Sequence, residues 1–172
     1  MRATDVPDGR LYAVGDVNGR NLLTHMGKYQ ARVYGDVIAA RVKGLSEDLP
    51  ALRDIADDRG APQVIFTDPQ VCMAGRTESQ ARAEGSPVRA VECDIGAVIG
   101  AQLQSAGYTG RAKLVVDEDR RVLLGATFVG PVTVDLLHGA TIAVTLDQLW
   151  HAVPAFPTVS EIWLNLLLEY GL

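Results

Sequence analysis

The strongest constraint on the fold is the stretch RAKLVVDEDRRVLLGATFVGP, which begins at Arg111. Two runs rich in β-branched and aliphatic residues flank the charged turn from Asp117 to Arg120. This pattern is typical of an antiparallel hairpin with a short connection. The sequence therefore predicts a pair of antiparallel strands in this part of the chain.

Three further β-rich runs precede the hairpin. Val64–Thr67 and Val71–Ala74 are separated by the turn residues Asp68 and Pro69, and Val88–Ile95 follows later. Short β-rich runs bounded by turn residues predict strands.

A short helix is predicted between the second and third of these runs. Thr77 and Gln80 have the spacing of a capping box, and Gly85 offers a C-terminal stop. The stretch GAVIGAQLQSAGYTG, from Gly96 to Gly110, fits either a loop or a short helix.

The N-terminal part reads as strand, loop and helix. Leu11–Val14 predicts a buried strand, and an apolar stripe at three- and four-residue spacing predicts a long helix from Asn21 to about Arg41. Gly27 and Gly35 lie inside that helix, where each costs about 1 kcal/mol relative to alanine unless close packing excludes a side chain. The members of the stripe are Met26, Tyr29, Val33, Val37 and Ala40.

Two more helices are predicted towards the C-terminus. In the first, which follows Thr133, one helical face carries Leu136, Leu137, Ala140 and Val144. In the second, Thr158 and Glu161 have capping-box spacing, and Pro157 stands just outside the helix. Its main apolar face consists of Val159, Ile162, Trp163, Leu166, Leu167 and Tyr170.

Two leucines lie off that main face. Leu164 and Leu168 give the last helix a second apolar side, so the helix needs two partners. We expect a second copy of the chain to supply one of them.

Composition limits the classes of function. The chain has 172 residues, 48% of them hydrophobic, and a formal net charge of -5, which suits a globular fold and disfavours nucleic acid or anionic lipid as a partner. The N-terminus lacks the apolar stretch of a signal peptide, and Asp135 and His138 interrupt the longest apolar region, Ala126–Leu146. We expect a cytoplasmic protein that does not enter a membrane.

Cysteine and histidine usage gives no metal or redox motif. Cys72 and Cys93 are too far apart for a two-cysteine redox loop and are interpreted as buried spectator thiols. The three histidines are scattered without metal-ligand spacing, so we expect no metal site.

Six motifs in a fixed order give the chain a family resemblance. LYAVGDVNG with LTHMGKYQA, then PQVIFTDPQV, AKLVVD, LLGATFVGP and FPTVSE resemble the C-terminal part of flavin-dependent pyridine nucleotide-disulfide oxidoreductases. The best-known members are dihydrolipoamide dehydrogenase and glutathione reductase; mercuric reductase is another. The resemblance runs from about Leu11 to Tyr170, and the 172 residues contain no Gly-x-Gly-x-x-Gly and no Cys-x-x-x-x-Cys motif.

The resemblance implies a fold and a domain division. Residues 1–42 would be the remnant of an α/β FAD-binding domain, a strand, loop and helix. Residues 43–61 would be a linker, and residues 62–172 an α+β dimerisation domain, an antiparallel sheet flanked by helices. We expect a homodimer, and a fragment of a longer protein that uses FAD and NAD(P)H. The fragment alone would retain no FAD, since the unit that binds the FAD phosphates is missing.

The resemblance also implies a corner of a flavin site. Asp16 matches the carboxylate that accepts a hydrogen bond from a ribityl hydroxyl, although a loop-capping role is the ordinary alternative. Leu23, Thr24 and His25 match the helix N-terminus that faces the pyrimidine edge of the flavin. His25 is given no catalytic role.

The sequence departs from the family at the catalytic histidine. In the disulfide reductases a His-Pro-Thr motif supplies an imidazole that carries a proton to the thiol, and a nearby Glu orients it. Here Phe156 occupies the histidine position, Glu161 matches the orienting Glu but is also explained as a helix cap, and His151 is interpreted as a surface residue. No catalytic residue is assigned.

Three functions stay open at this point. The chain is part of an NAD(P)H oxidoreductase that reduces a non-thiol acceptor such as a quinone, or it is a catalytically silent dimerisation module. A third possibility is an unrelated α+β binding domain that shares the motifs.

Overall fold

The computed structural model describes residues 11–46, 48–56, 60–142 and 145–172. The chain divides into two compact units, Met1–Ala61 and Pro62–Leu172.

The second unit is built on a five-stranded antiparallel sheet. The strands are β1 (Gln63–Ile65), β2 (Gln70–Gly75), β3 (Val88–Asp94), β4 (Arg111–Asp117) and β5 (Val122–Gly130). Their order across the sheet is β1-β2-β5-β4-β3, and every neighbouring pair is antiparallel. The predicted hairpin is therefore confirmed as β4 and β5, and the three upstream runs are confirmed as β1, β2 and β3.

Five helices accompany the sheet in the described part of the second unit. They are α2 (Glu78–Ala83), α3 (Ile99–Gln104), α4 (Leu137–Ile142), α5 (Leu146–Trp150) and α6 (Ile162–Tyr170). The ambiguous glycine-bearing stretch thus contains a short helix, α3. The predicted capping box of α2 is confirmed, since the side chains of Thr77 and Gln80 each accept a backbone hydrogen bond of the other residue. Val144, predicted to lie on the face of α4, is outside the described residues.

The core lies between the inner face of the sheet and the C-terminal helix. Antiparallel register places Cys72, Phe128 and Ala112 in one row, and all three are buried. Phe128 contacts Trp163 of α6 edge to face, with ring centroids 5.2 Å apart. The main apolar face of α6 therefore packs against its own unit, while Leu164 and Leu168 are 39% and 53% exposed. The predicted second apolar side is confirmed.

The first unit contains helix α1 (Thr24–Val42). Met26, Val33 and Ala40 of the predicted stripe are buried. The hydroxyl of Tyr29 accepts hydrogen bonds from the amides of Ile55 and Ala56 at 3.0 and 3.3 Å. The long helix is confirmed, with an N-terminus three residues later than predicted.

Two local predictions are wrong. Leu11–Val14 is not a regular strand: Tyr12 forms an isolated bridge, and Leu11 is 54% exposed. Every strand of the described sheet lies between residues 63 and 130, so Leu11–Val14 is not one of its strands.

The capping box predicted at Thr158 is also wrong. The Thr158 hydroxyl donates to the carbonyl of Ala155 at 2.6 Å and caps no amide of the following turn. The turn Val159–Glu161 is a 3-10 turn, and α6 begins after it at Ile162. A 3-10 turn changes the spacing of the first amides, so the Thr-x-x-Glu geometry of an α-helical N-terminus is not reached.

Candidate functional site

The candidate site residues fall into one group in each unit. Asp16, Leu23, Thr24 and His25 belong to the first unit, and Phe156 and Glu161 belong to the second.

Asp16 lies on a tight turn that packs against α1. The turn is the 3-10 segment Gly15–Asn18, and both Gly15 and the following Gly19 have positive φ angles, +74° and +68°. Left-handed backbone favours glycine, which explains the glycines on either side of Asp16. The side chain of Asp16 is exposed and forms no hydrogen bond with the described residues.

A buried glutamine holds this turn. Gln30 of α1 is 0% exposed, and its Oε1 accepts hydrogen bonds from the Gly15 amide at 2.9 Å and from Nδ2 of Asn18 at 2.8 Å. The prediction from sequence missed Gln30. The available signal was a polar residue on the buried stripe, four residues after Met26 and three before Val33.

The N-terminus of α1 has no side-chain cap. Leu23 is the N-cap residue and is partly buried, and its carbonyl accepts from the amides of Met26 and Gly27, each at 3.0 Å. Thr24 and His25, the first two helical residues, are exposed. An uncapped N-terminus carries partial positive charge, so it favours an electron-rich or anionic group.

Phe156 occupies an exposed position before the C-terminal helix. Its side chain is 70% exposed and precedes Pro157. No hydrogen-bonding group is present on a phenyl ring, so this residue can neither give nor take a proton. His151, five residues upstream, is exposed at the end of α5.

Glu161 has a buried carboxylate oxygen without a partner. Its Oε2 is inaccessible to solvent and finds no hydrogen-bond donor in the described ranges. A buried carboxylate oxygen normally has a donor, because losing one costs about 1–3 kcal/mol. The predicted capping role does not occupy it, so Glu161 retains an unused acceptor five residues after Phe156.

The outer face of the sheet carries an open cavity of about 610 Å³ that is lined by paired charges. Nζ of Lys113 lies 2.8 Å from Oε2 of Glu78 and 2.9 Å from Oε1 of Glu92, and Arg82 contacts Glu78 at 2.7 Å. Lys113, followed by Arg82, lowers the pKa of Glu78, and Glu78, followed by Glu92, raises the pKa of Lys113. These charges neutralise one another and hold α2 to the sheet.

The described residues contain no cluster of three or more His, Cys, Asp or Glu side chains able to hold a metal ion. Within the same ranges, no helix is both long enough and apolar enough to cross a membrane.

Comparison with known proteins agrees with the observed fold. A family model described as pyridine nucleotide-disulphide oxidoreductase, dimerisation domain, matches residues 61–166. A dihydrolipoyl dehydrogenase of Chlamydia pneumoniae is 31% identical over 164 residues, which cover 93% of this chain and 32% of that protein. The dihydrolipoyl dehydrogenase of Mycobacterium tuberculosis (strain ATCC 25618 / H37Rv) is 35% identical over 158 residues, covering 89% and 32%.

Solved structures show the same fold. The HOCl-induced flavoprotein disulfide reductase RclA from Escherichia coli superposes with a TM-score of 0.72 at 22% identity, covering 91% of this chain and 34% of that one. LpdA from Mycobacterium tuberculosis gives a TM-score of 0.71 at 18% identity, covering 94% and 34%.

A five-stranded antiparallel sheet with flanking helices and this match define a dimerisation domain of the flavoprotein reductase class. The chain belongs to the pyridine nucleotide-disulphide oxidoreductase family. It spans about a third of the length of the relatives it matches.

Proposed function

We propose that the chain is the C-terminal part of an FAD-dependent NAD(P)H oxidoreductase that passes electrons to a non-thiol acceptor such as a quinone. The observation that carries this proposal is Phe156, which stands at the position of the family's catalytic histidine. Thiol chemistry at that place needs a group that moves a proton, and general acid–base catalysis is worth about 10²- to 10⁴-fold in rate.

The orphaned oxygen of Glu161 supports the same proposal. In the family the matching Glu orients the histidine, and here the carboxylate is kept while its imidazole partner is replaced by a phenyl ring. The side chains of this segment can exclude water and present an apolar ring. An apolar surface favours binding of a planar, non-thiol acceptor over binding of a charged thiolate.

The first unit fits one corner of an FAD site. The exposed Asp16 carboxylate accepts no hydrogen bond from the described residues, which suits a contact with a ribityl hydroxyl. Leu23, Thr24 and His25 form an uncapped helix N-terminus, which suits the electron-rich pyrimidine edge. FAD, when bound, would supply electron transfer from NAD(P)H to the acceptor. We do not expect this chain alone to retain FAD, because it carries no glycine-rich phosphate-binding motif.

We further propose that residues 62–172 form a homodimer and that the protein works in the cytoplasm in cell redox homeostasis. Leu164 and Leu168 of α6 are apolar and exposed, and burial of such residues favours association. The alternative function is a catalytically silent dimerisation module.

The test is isolation of the native protein from its source cells with antibodies raised against residues 62–172. Its mass, its flavin absorbance and its NAD(P)H oxidation with a quinone and with a lipoyl disulfide are measured. We expect a flavoprotein larger than 172 residues. We also expect quinone turnover to exceed disulfide turnover by about a hundredfold or more, the lower bound for a lost acid–base group.

Two results would contradict the proposal. A colourless native dimer of this chain alone would establish the silent module. A yellow enzyme that reduces the lipoyl disulfide as fast as the quinone would show that Phe156 does not decide the acceptor.

A further inference from the structure

The clearest unassigned feature is the buried side chain of Gln30. Gln30, Asp117 and Thr133 are the only buried polar or charged residues in the part of the chain that the structure describes. Burying an amide is unfavourable unless its polar atoms are hydrogen-bonded. The Oε1 atom of Gln30 is satisfied by two donors of the Gly15–Asn18 turn, the Gly15 amide and Nδ2 of Asn18.

A second contact fixes the same turn. Gly27 lies three residues before Gln30 on α1, and a Cβ atom on Gly27 would stand 3.3 Å from the Cα atom of Gly15. Residues three apart share one face of a helix. Gly27 and Gln30 therefore hold the turn from one face of α1, the first through backbone contact and the second through hydrogen bonds.

The turn closes on itself beyond Asp16. The Gly19 amide donates to the backbone carbonyl of Asp16 at 3.0 Å, and Oδ1 of Asn18 accepts from the Arg20 amide at 2.9 Å. These bonds fix the backbone on both sides of Asp16, whose side chain is exposed. A residue whose backbone is fixed before a ligand arrives loses less conformational entropy on binding.

We infer that Gln30 is a positioning residue, which holds the Gly15–Asn18 turn so that the Asp16 carboxylate is presented for a hydroxyl-bearing ligand. The inference rests on the proposed flavin contact of Asp16. Gln30 itself does not touch the ligand. It acts by accepting two hydrogen bonds through one oxygen.

Three substitutions separate this role from general stability. Gln30→Met keeps the volume and removes the acceptor, and Gln30→Glu keeps an acceptor at the same place. Val33→Ala removes buried methyl groups about one turn further along α1 and leaves the hydrogen-bonding groups of the turn unchanged. Gln104→Met is the matched change on an exposed glutamine of α3 in the other unit.

The experiment measures amide hydrogen exchange by NMR on the whole chain without flavin. In Gln30→Met we expect the Gly15 amide to exchange about tenfold faster, because one hydrogen bond is lost. The exchange rates of amides in the middle of α1 should change less. Gln30→Glu should restore slow exchange, and Gln104→Met should leave it unchanged.

The outcomes separate the two proposals. Unchanged Gly15 exchange in Gln30→Met, or an equal change in Val33→Ala at equal loss of stability, overturns the role of Gln30. A native protein isolated without flavin absorbance would instead overturn the flavin contact, while the exchange data still decide whether Gln30 holds the turn.

Discussion

Gly15 and Gly27 are in backbone contact, with the Cα atom of Gly15 at 3.3 Å from the place where a Cβ of residue 27 would lie. A Cβ atom at this distance is tighter than nearly all real contacts, so the Gly15 backbone would have to move by a few tenths of an ångström to admit a side chain. The contact explains a glycine in a helix interior, where it otherwise costs about 1 kcal/mol relative to alanine. Gly35, two turns later, has nothing within 4 Å of such a position.

The first prediction compares these two glycines. Gly35→Ala should raise the free energy of unfolding by about 0.5–1 kcal/mol, because it gains helix propensity in open space. Gly27→Ala should instead lower the free energy of unfolding, because its methyl group displaces Gly15. Urea unfolding followed by circular dichroism checks both, and a stabilising Gly27→Ala would contradict the contact.

The sequence predicted the elements whose signals are local. The β4–β5 hairpin is marked by a charged turn between two β-rich runs, and the α2 capping box by Thr77 and Gln80. Both depend on residues only a few positions apart, so tertiary context could not change them much.

The failures have different causes. Leu11–Val14 has strand-like composition, but a strand needs a partner, and its own residues do not specify one. Thr158 matches the capping-box spacing, yet its hydroxyl bonds backwards to Ala155 because the turn that follows is 3-10. Gln30 was missed because the buried face of a helix is predicted from the spacing of apolar residues, which ignores a polar residue that is buried together with its hydrogen-bond partners.

The second prediction concerns the contact between α3 and the segment before α6. A Cβ atom on Gly100 would overlap the backbone of Thr158, which cannot move aside as a flexible side chain can. Gly100→Ala should therefore cost about 1–3 kcal/mol through overpacking. Gln104→Ala, on the exposed side of the same helix, is the control and should change the urea midpoint little. Equal effects of the two changes would argue against the close approach.

The third prediction concerns the charges on the outer face of the sheet. Lys113 lowers the pKa of Glu78 below its ordinary 4.5, so this pair stabilises the fold above that pH and loses its effect as pH falls through the lower, folded-state pKa. The pKa of Lys113 is raised above its ordinary 10.5, so the same pair stabilises the fold below pH 10.5. This stabilisation is lost as pH rises through the higher folded-state pKa of Lys113.

Lys113→Met should therefore return the pKa of Glu78 towards its ordinary value, with Arg82 still lowering it in part. It should also make the free energy of unfolding fall less steeply as pH is lowered. Carboxylate NMR titration and urea midpoints at several pH values measure the two effects, with Arg53→Met, at an exposed ion pair in the other unit, as the control. An unchanged Glu78 titration in Lys113→Met would be inconsistent with the pair.

The fourth prediction concerns the unused oxygen of Glu161. In Phe156→His the introduced imidazole should pair with this carboxylate, so its pKa should rise above the ordinary value of about 6.5. The pair would then stabilise the fold below that pH and lose its effect as pH rises through the higher folded-state pKa. NMR titration of the ring protons measures the pKa. Adding Glu161→Gln should return it to about 6.5, and an unshifted imidazole in the single variant would show that Glu161 is out of reach.

The last prediction concerns the two thiols. Burial raises the pKa of Cys72, whose Sγ donates to the carbonyl of Thr133 at 3.4 Å and is 0% exposed. Burial, followed by the charge of Glu169, raises the pKa of the partly buried Cys93. A raised pKa leaves less thiolate at neutral pH, and the thiolate is the reactive form.

A thiol-specific reagent at neutral pH should therefore label Cys93 slowly and Cys72 only after unfolding, as mass spectrometry of the labelled peptides can show. Glu169→Gln should accelerate labelling of Cys93, because it removes the negative charge that opposes thiolate formation, whereas Glu84→Gln should not. Labelling of Cys72 in the folded chain as fast as Cys93 would mean that its side chain opens to solvent without global unfolding. In that case the inner face of the sheet could not be a close-packed core around Phe128.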